Sequence, residues 1–409
     1  MKKVSWFFIL AVLFLSGCIQ TQNKPLSALP STFPKIDRQP GPANYAYLAI
    51  NRFPTYNPES NDPFQMDLRS ANLSAYDLSK SYHDLLFATF DSKTIWPIPS
   101  KMPAGYDYKK IMTLGENPGL NIQQLHEKGI TGVGVGIAII DQPLLVDHVE
   151  YANQLRLYEE ADDLKNLNIS ASMHGLAVAS IAVGKTVGVA PEADLYFIGT
   201  NFCSQGTYET VNFSCLAKSV RRILEINESL PEDRKIRVIS ISIGWRPDSI
   251  GIEDIKAAIQ EAKNIGILVV SSSLEETHGF KFHSLGRQPL ADPNDFQSYE
   301  PGIFWAKNFY EGQHFSDRLL VPMDSRTTAS PTGIDDYVFY REGGWSWSIP
   351  YIAGVYALAA QAKPNITPDE FWSLAMKTGK MINLNHNGEI IPFGPILDPV
   401  ALINSLGED

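Results

Sequence analysis

The sequence predicts an α/β fold: a mostly parallel sheet covered by helices on both faces. Three observations carry that reading. Short, wholly apolar runs such as "GIAIID" and "ILVV" suit strands buried on both sides. Between such runs lie stretches with apolar residues at helical spacing. The two types alternate along the chain, and strand–helix alternation builds parallel units whose crossovers cover the sheet.

The chain of 409 residues allows one large domain with extensions, and 44% apolar against 19% charged residues is ordinary for a sizeable core. A formal net charge of -11 argues against nucleic acid as a partner. Lys2 and Lys3 precede an apolar run from Val4 to Leu15. This is the pattern of a secretory leader, here 1–17, and too short for a good membrane span. It ends in Leu15-Ser16-Gly17-Cys18, which resembles the bacterial lipobox. The resemblance implies cleavage before Cys18 and a lipid on its sulfur. The mature protein would then sit on the outer face or periplasmic side of a bacterial cell membrane. Cys203 and Cys215 remain. An oxidising compartment permits a disulfide between them, and two free thiols fit the spacing equally.

Residues 18–62, rich in Pro, Asn, Ser and Thr, read as a tether. Residues 63–115 form a small N-terminal region that could be a pro-segment or a spacer. Within it, "MDLRSANLSAYDLSK" repeats every five residues, placing Leu68, Leu73 and Leu78 after Asp67, Asn72 and Asp77. This resembles a pentapeptide repeat. Three copies are too few for a free-standing solenoid, so a coil or a helix leaning on the main domain is expected. Pro97, Pro99 and Pro103 mark a linker.

The main domain is expected over 116–409. "NPGLNIQQLHEKG" reads as a helix closed by Gly129, and "VGVGIAIID" as the strand after it. Further strands are expected at 193–199, 236–244 and 267–273. The helix at 216–227 shows Leu216, Val220, Ile223 and Leu224 on one side, and the helix at 252–266 stops at Gly266. In such sheets, sites form at the carboxyl ends of the strands.

Three polar residues stand at suitable places. Asp141 ends "GIAIID", His174 opens "HGLAVASIAVG", and Ser346 opens a helix in "GGWSWSIPYIAG". Each alone has an ordinary structural explanation: a turn acid, a packed histidine, an N-cap. Together, Asp, His and Ser in this chain order form one of the known arrangements of the serine-hydrolase triad. The flanks then decide. "GIAIID", "HGLAVASIAVG", "GVAPEADLYFIG" and "GWSWSIPYIAG" resemble, in order, motifs of the subtilisin-like serine proteases, the subtilases. The likeness runs over about 117–405, with a poorly matching insertion near 276–335. It implies a subtilisin-like three-layer fold and a serine endopeptidase acting on protein or peptide. Asp141, His174 and Ser346 would be catalytic, and Ser242-Ile243-Gly244 would hold substrate backbone.

Several positions depart from the family's pattern. Leu176 replaces a threonine in the His motif. Trp345 and Trp347 flank Ser346, and Ser348 stands where an alanine is usual. Glu275 falls where an asparagine usually donates to the oxyanion. An ionised carboxylate there would repel it, whereas a buried, protonated one could donate. The short "AVGKTVGVA" connection lacks the loop that binds calcium in many relatives, so no metal and no cofactor is expected. Pro350 should loosen the first turn of the last motif's helix. These departures keep a second reading open: a weakened or inactive member that only binds peptides.

Overall fold

The computed structural model describes residues 33–45, 50–60, 62, 64–165, 167–204 and 210–407. The leader and Cys18 lie outside the described residues. In chain order the first elements are β1 (Lys35–Ile36), α1 (Tyr82–Leu85), β2 (Phe90–Asp91), α2 (Tyr108–Glu116) and α3 (Ile122–Glu127). Then come β3 (Gly136–Asp141), β4 (Leu155–Glu160), α4 (Met173–Val183), β5 (Asp194–Gly199) and α5 (Phe213–Ser229). These are followed by β6 (Ile236–Ile241), α6 (Ile252–Asn264), β7 (Leu268–Ser271), α7 (Leu274–His278), β8 (Phe282–Arg287), β9 (Tyr299–Pro301) and α8 (Ile303–Tyr310). The last are β10 (Leu319–Pro322), β11 (Arg326–Ala329), β12 (Tyr337–Tyr340), α9 (Trp345–Ala362), α10 (Pro368–Thr378), β13 (Lys380–His386), β14 (Glu389–Ile396) and α11 (Pro399–Ser405).

The principal sheet has the order β1-β4-β5-β3-β6-β7, and every pairing in it is parallel. Strand β3 shows why its sequence is apolar throughout. Ile137 and Ile139 enter one core while Ala138 and Ile140 enter the other, because successive side chains point to opposite faces. On one face α5 and α6 bury Leu216, Val220, Ile223, Ile255 and Ile259. On the other lie α4 and α9, whose apolar residues surround the helix axis rather than forming a stripe. Such helices belong in a core, and both are enclosed between sheets. The result is the expected three-layer α/β arrangement.

The stretch 276–335 is a structural layer. It supplies β8, β9 and β10 to a second sheet, ordered β13-β14-β10-β8-β9, β11 to a third, ordered β11-β12-β2, and helix α8 after β9. Strands β8, β9 and β11 escaped the apolar pattern because they are partly polar, and β10 because it is only four residues long. Arg326 and Thr327 of β11 are buried, and both bond to main-chain carbonyls: the two terminal nitrogens of Arg326 donate to Pro118 and Val187, and Thr327 donates to Met112. Strand β4, "LRLYEE", was missed for a similar reason.

The N-terminal boundaries also differ from expectation. Packing begins at residue 33, inside the proposed tether. Strand β1 joins the principal sheet, Lys35 and Arg38 pair with Glu159 and Glu160, and Ala171 donates its N–H to Gly41 O at 2.8 Å. The five-residue repeat forms a coil leaning on the domain. Leu68, Leu73 and Leu78 are buried, and their N–H groups bond to the carbonyls of Thr89, Ile95 and Lys101. Asp67, Asn72 and Asp77 each accept the N–H two residues on, which explains why Asp or Asn recurs before the leucine. Strand β2 pairs with β12, and Arg341 Nε donates to Leu86 O at 2.9 Å. Residues 64–115 are thus built into the domain.

Candidate active site

Strand β3 is flanked by β5 and β6, and Asp141 is its last residue, fully buried at the carboxyl end. Its Oδ1 accepts the N–H of Gln142 at 2.8 Å and faces His174 Nδ1 at 2.7 Å. Its Oδ2 is buried without a hydrogen-bond partner among the described residues. His174 lies in the first turn of α4, capped by Ser172, whose hydroxyl accepts the His174 N–H at 3.2 Å. Ser172 also donates to Gln142 Oε1, tying the helix start to the residue after Asp141. Gly175 completes the join: a Cβ there would stand 2.1 Å from Gln142 O. The glycine after the histidine is therefore a steric requirement for the Asp–His spacing.

Burial pushes the His174 imidazole down, but the Asp141 carboxylate beside Nδ1 outweighs it and holds the group above its ordinary value. With Nδ1 donating to Asp141, Nε2 is the free acceptor of the neutral ring.

Ser346 lies in the first turn of α9, with Gly344 as the N-cap. Its hydroxyl donates to Ser242 O at 3.2 Å, and the Ser242 hydroxyl returns the bond to Ser346 O at 3.1 Å. Pro350 explains the second bond. It has no N–H for the carbonyl four residues back, which is that of Ser346. The helix continues through Pro350, and the first turn expected to loosen is held by Ser242 instead. Trp347 joins this turn to the histidine: its ring lies 5.7 Å from the His174 imidazole and 5.2 Å from Tyr340. Trp345 packs on Phe282 and His283 at 5.3 and 5.4 Å. Ser348 is buried and donates to Pro322 O at 3.2 Å. Both tryptophans act as packing residues under the turn.

The remaining expected residues divide. Ser242 is nearly buried and Ile243 and Gly244 are half-buried. A Cβ on Gly244 would come within 2.9 Å of Ser272 Cβ, and Ile243 O accepts the N–H of Ser272 at 3.1 Å. The close approach that Gly244 permits is to this neighbouring segment. Glu275 does not have the buried position considered from sequence. Its side chain is 57% exposed in the first turn of α7 and pairs with Lys281 at 3.5 Å. Cys203 and Cys215 form a disulfide.

Two neighbours of Ser346 were invisible to sequence reasoning. Asp324 is buried behind the turn and accepts the Gly343 N–H at 2.9 Å. His283 is ringed by Phe304, Trp305, Phe315 and Trp345, and burial lowers its imidazole to about 4. Neither lies in a local motif. Among the described residues no three His, Cys, Asp or Glu side chains group so as to hold a metal ion.

Residues 132–305 match the model of the subtilase family, Peptidase_S8. That stretch, less than half of the chain, is similar to a subtilase domain. With that domain comes a serine-protease assignment at the level of the family, with protein or peptide as the class of substrate. The match includes Asp141, His174, Ser242 and Glu275 and ends before Ser346. Among solved structures, the prenylagaramide maturation protease PagA is similar at 15% identity with a TM-score of 0.48. That likeness covers 70% of this chain and 98% of the other.

Proposed function

We propose that this subtilase is a serine endopeptidase working through Asp141, His174 and Ser346. The observation that carries the reading is the 2.7 Å contact between a fully buried Asp141 and His174 Nδ1. It orients Nε2 as a base, next to the helix turn bearing Ser346. The Ser346 hydroxyl rotates from Ser242 O toward Nε2 and attacks the scissile carbonyl. The Oγ–C bond forms as His174 takes the proton. His174 then gives that proton to the leaving amine as the C–N bond breaks. Water, deprotonated by His174, releases the acid from Ser346. The N–H groups at the start of α9 face the developing oxyanion. Ser242, Ile243 and Gly244 are the proposed backbone contacts for substrate.

The leader pattern supports export and lipid anchoring at Cys18, on the outer face or periplasmic side of a bacterial membrane. A Cys203–Cys215 disulfide fits such an oxidising site. No described helix is long and apolar enough to cross a membrane. The lipid is tested by metabolic labelling with a radioactive fatty acid: label should enter the wild type and not Cys18→Ala.

A second reading, peptide binding without turnover, draws on the resting Ser346–Ser242 bond and on the exposed Glu275. Incubating the purified protein with fluorescein-labelled casein separates the two. Catalysis predicts internal cleavage fragments that vanish in Ser346→Ala. Equal fragments from that variant, or none from the folded wild type, would reject the triad reading.

A further inference from the structure

Asp324 lies just beyond β10 and is 3% exposed. Its two carboxylate oxygens accept from two distant segments. Oδ1 takes the N–H of Gly343 at 2.9 Å, and Oδ2 takes the N–H of Ile303 at 2.9 Å. Gly343 lies three residues before Ser346. Ile303 is the first residue of α8, capped by Gly302 without a side-chain bond. Close packing fixes both segments against the same short stretch. A Cβ on Gly343 would come within 2.6 Å of Met323 O, and one on Gly302 within 2.8 Å of Met323 Cε. Burial pushes the Asp324 carboxyl up to about 6, against the pull of Arg341 and the two N–H groups. A charge-bearing group kept inside a core at that cost, and spent on two backbone donors, argues for a positional task.

The two segments meet again at the tryptophan before Ser346. Phe304, next to Ile303, stacks on His283 at 5.6 Å, and His283 meets Trp345 edge-on at 5.4 Å. Trp345 is thus held from the chain side, through Gly343 and Gly344, and from the ring side, through α8. Both routes start at Asp324.

We propose that Asp324 is a positioning residue that locks the Ser346 turn to helix α8 and so sets the reactivity of the nucleophile. This rests on the reading of Ser346 as nucleophile, and it predicts a structural coupling that exists whether or not the protein turns over substrate. In Asp324→Asn, nearly the same shape is kept, but one of the two N–H groups must face an NH2. Ile303→Pro removes one donor alone, and proline is well tolerated at the first position of a helix.

Both variants are tested in the full chain by hydrogen–deuterium exchange and by labelling with a small fluorophosphonate. Exchange in 343–347 should be about tenfold faster in both, including Ile303→Pro, where the substitution lies in another segment. Labelling of Ser346 should slow by about tenfold or more in Asp324→Asn and by less in Ile303→Pro. With labelled casein, kcat should fall while KM stays within about twofold, the split expected for loss of an aligned nucleophile. Unchanged exchange at 343–347 in the two variants would overturn the coupling. Faster exchange with an unaltered labelling rate would overturn the control of reactivity. An unlabelled wild type would instead contradict the triad, and the exchange result would still decide the coupling.

Discussion

Asp141 and His174 are fixed by neighbours close to them in sequence, whereas Ser346 is fixed by residues far from it. On the first side, Ser172 caps α4, Gln142 follows the acid, and Gly175 allows the two to touch. On the second, Ser242 holds both the hydroxyl and the carbonyl of Ser346, and Asp324 holds Gly343. The acid–base side can therefore be read as a local motif. The nucleophile side is a tertiary assembly around a proline-interrupted turn, and three of the departures from the family's pattern lie in it: two tryptophans and a serine for an alanine.

Changes on the acid–base side should have the largest chemical effect. Asp141→Asn keeps the shape but favours the wrong tautomer of His174, so kcat on casein should fall by about four orders of magnitude. A loss below tenfold would mean that the two residues do not act together. Gly175→Ala forces a methyl group against Gln142 O and should destabilise the fold by about 3 kcal/mol, read from the urea midpoint. An unchanged midpoint would show that the α4 start can move, and the contrast between the sides would weaken.

The pH profile sharpens the same contrast. In the proposed mechanism His174 works as a neutral base, and Asp141 raises its proton affinity. Activity should fall as pH drops through a limb lying above the ordinary histidine value. The same raised value means that the pair's contribution to stability is present in acid and is lost as pH rises through the folded pKa. Asp141→Asn should move the activity limb to lower pH. A limb that stays in place would assign it to another group.

Helix α5 and strands β3, β5 and β6 were legible because their burial leaves a pattern: alternate faces for β3, one stripe for α5. The second sheet was not. Its strand β11 buries Arg326 and Thr327, and their partners Pro118, Val187 and Met112 belong to segments that no local window contains. The triad types were legible by order and flanks. Asp324 was not, because an isolated aspartate after a short strand reads as a turn residue until Gly343 and Ile303 are seen to share it. The sequence left the place of Glu275 open because position in a motif does not report exposure; only the fold places it against Lys281 at the surface.

The smallest effect is expected there. Glu275→Gln removes an exposed ion pair, so stability should change by less than about 1 kcal/mol. Casein turnover should stay within about twofold, whereas a loss of about a hundredfold would return this residue to the oxyanion.

The claim that joins the two sides is that Asp141 and His174 act on Ser346. Fluorophosphonate treatment of the full-length protein, followed by peptide mass spectrometry, tests it directly. The account predicts one adduct, on Ser346, formed rapidly in the wild type, strongly slowed in His174→Ala and absent in Ser346→Ala. An adduct on another residue, or labelling of Ser346 that does not depend on His174, would contradict it.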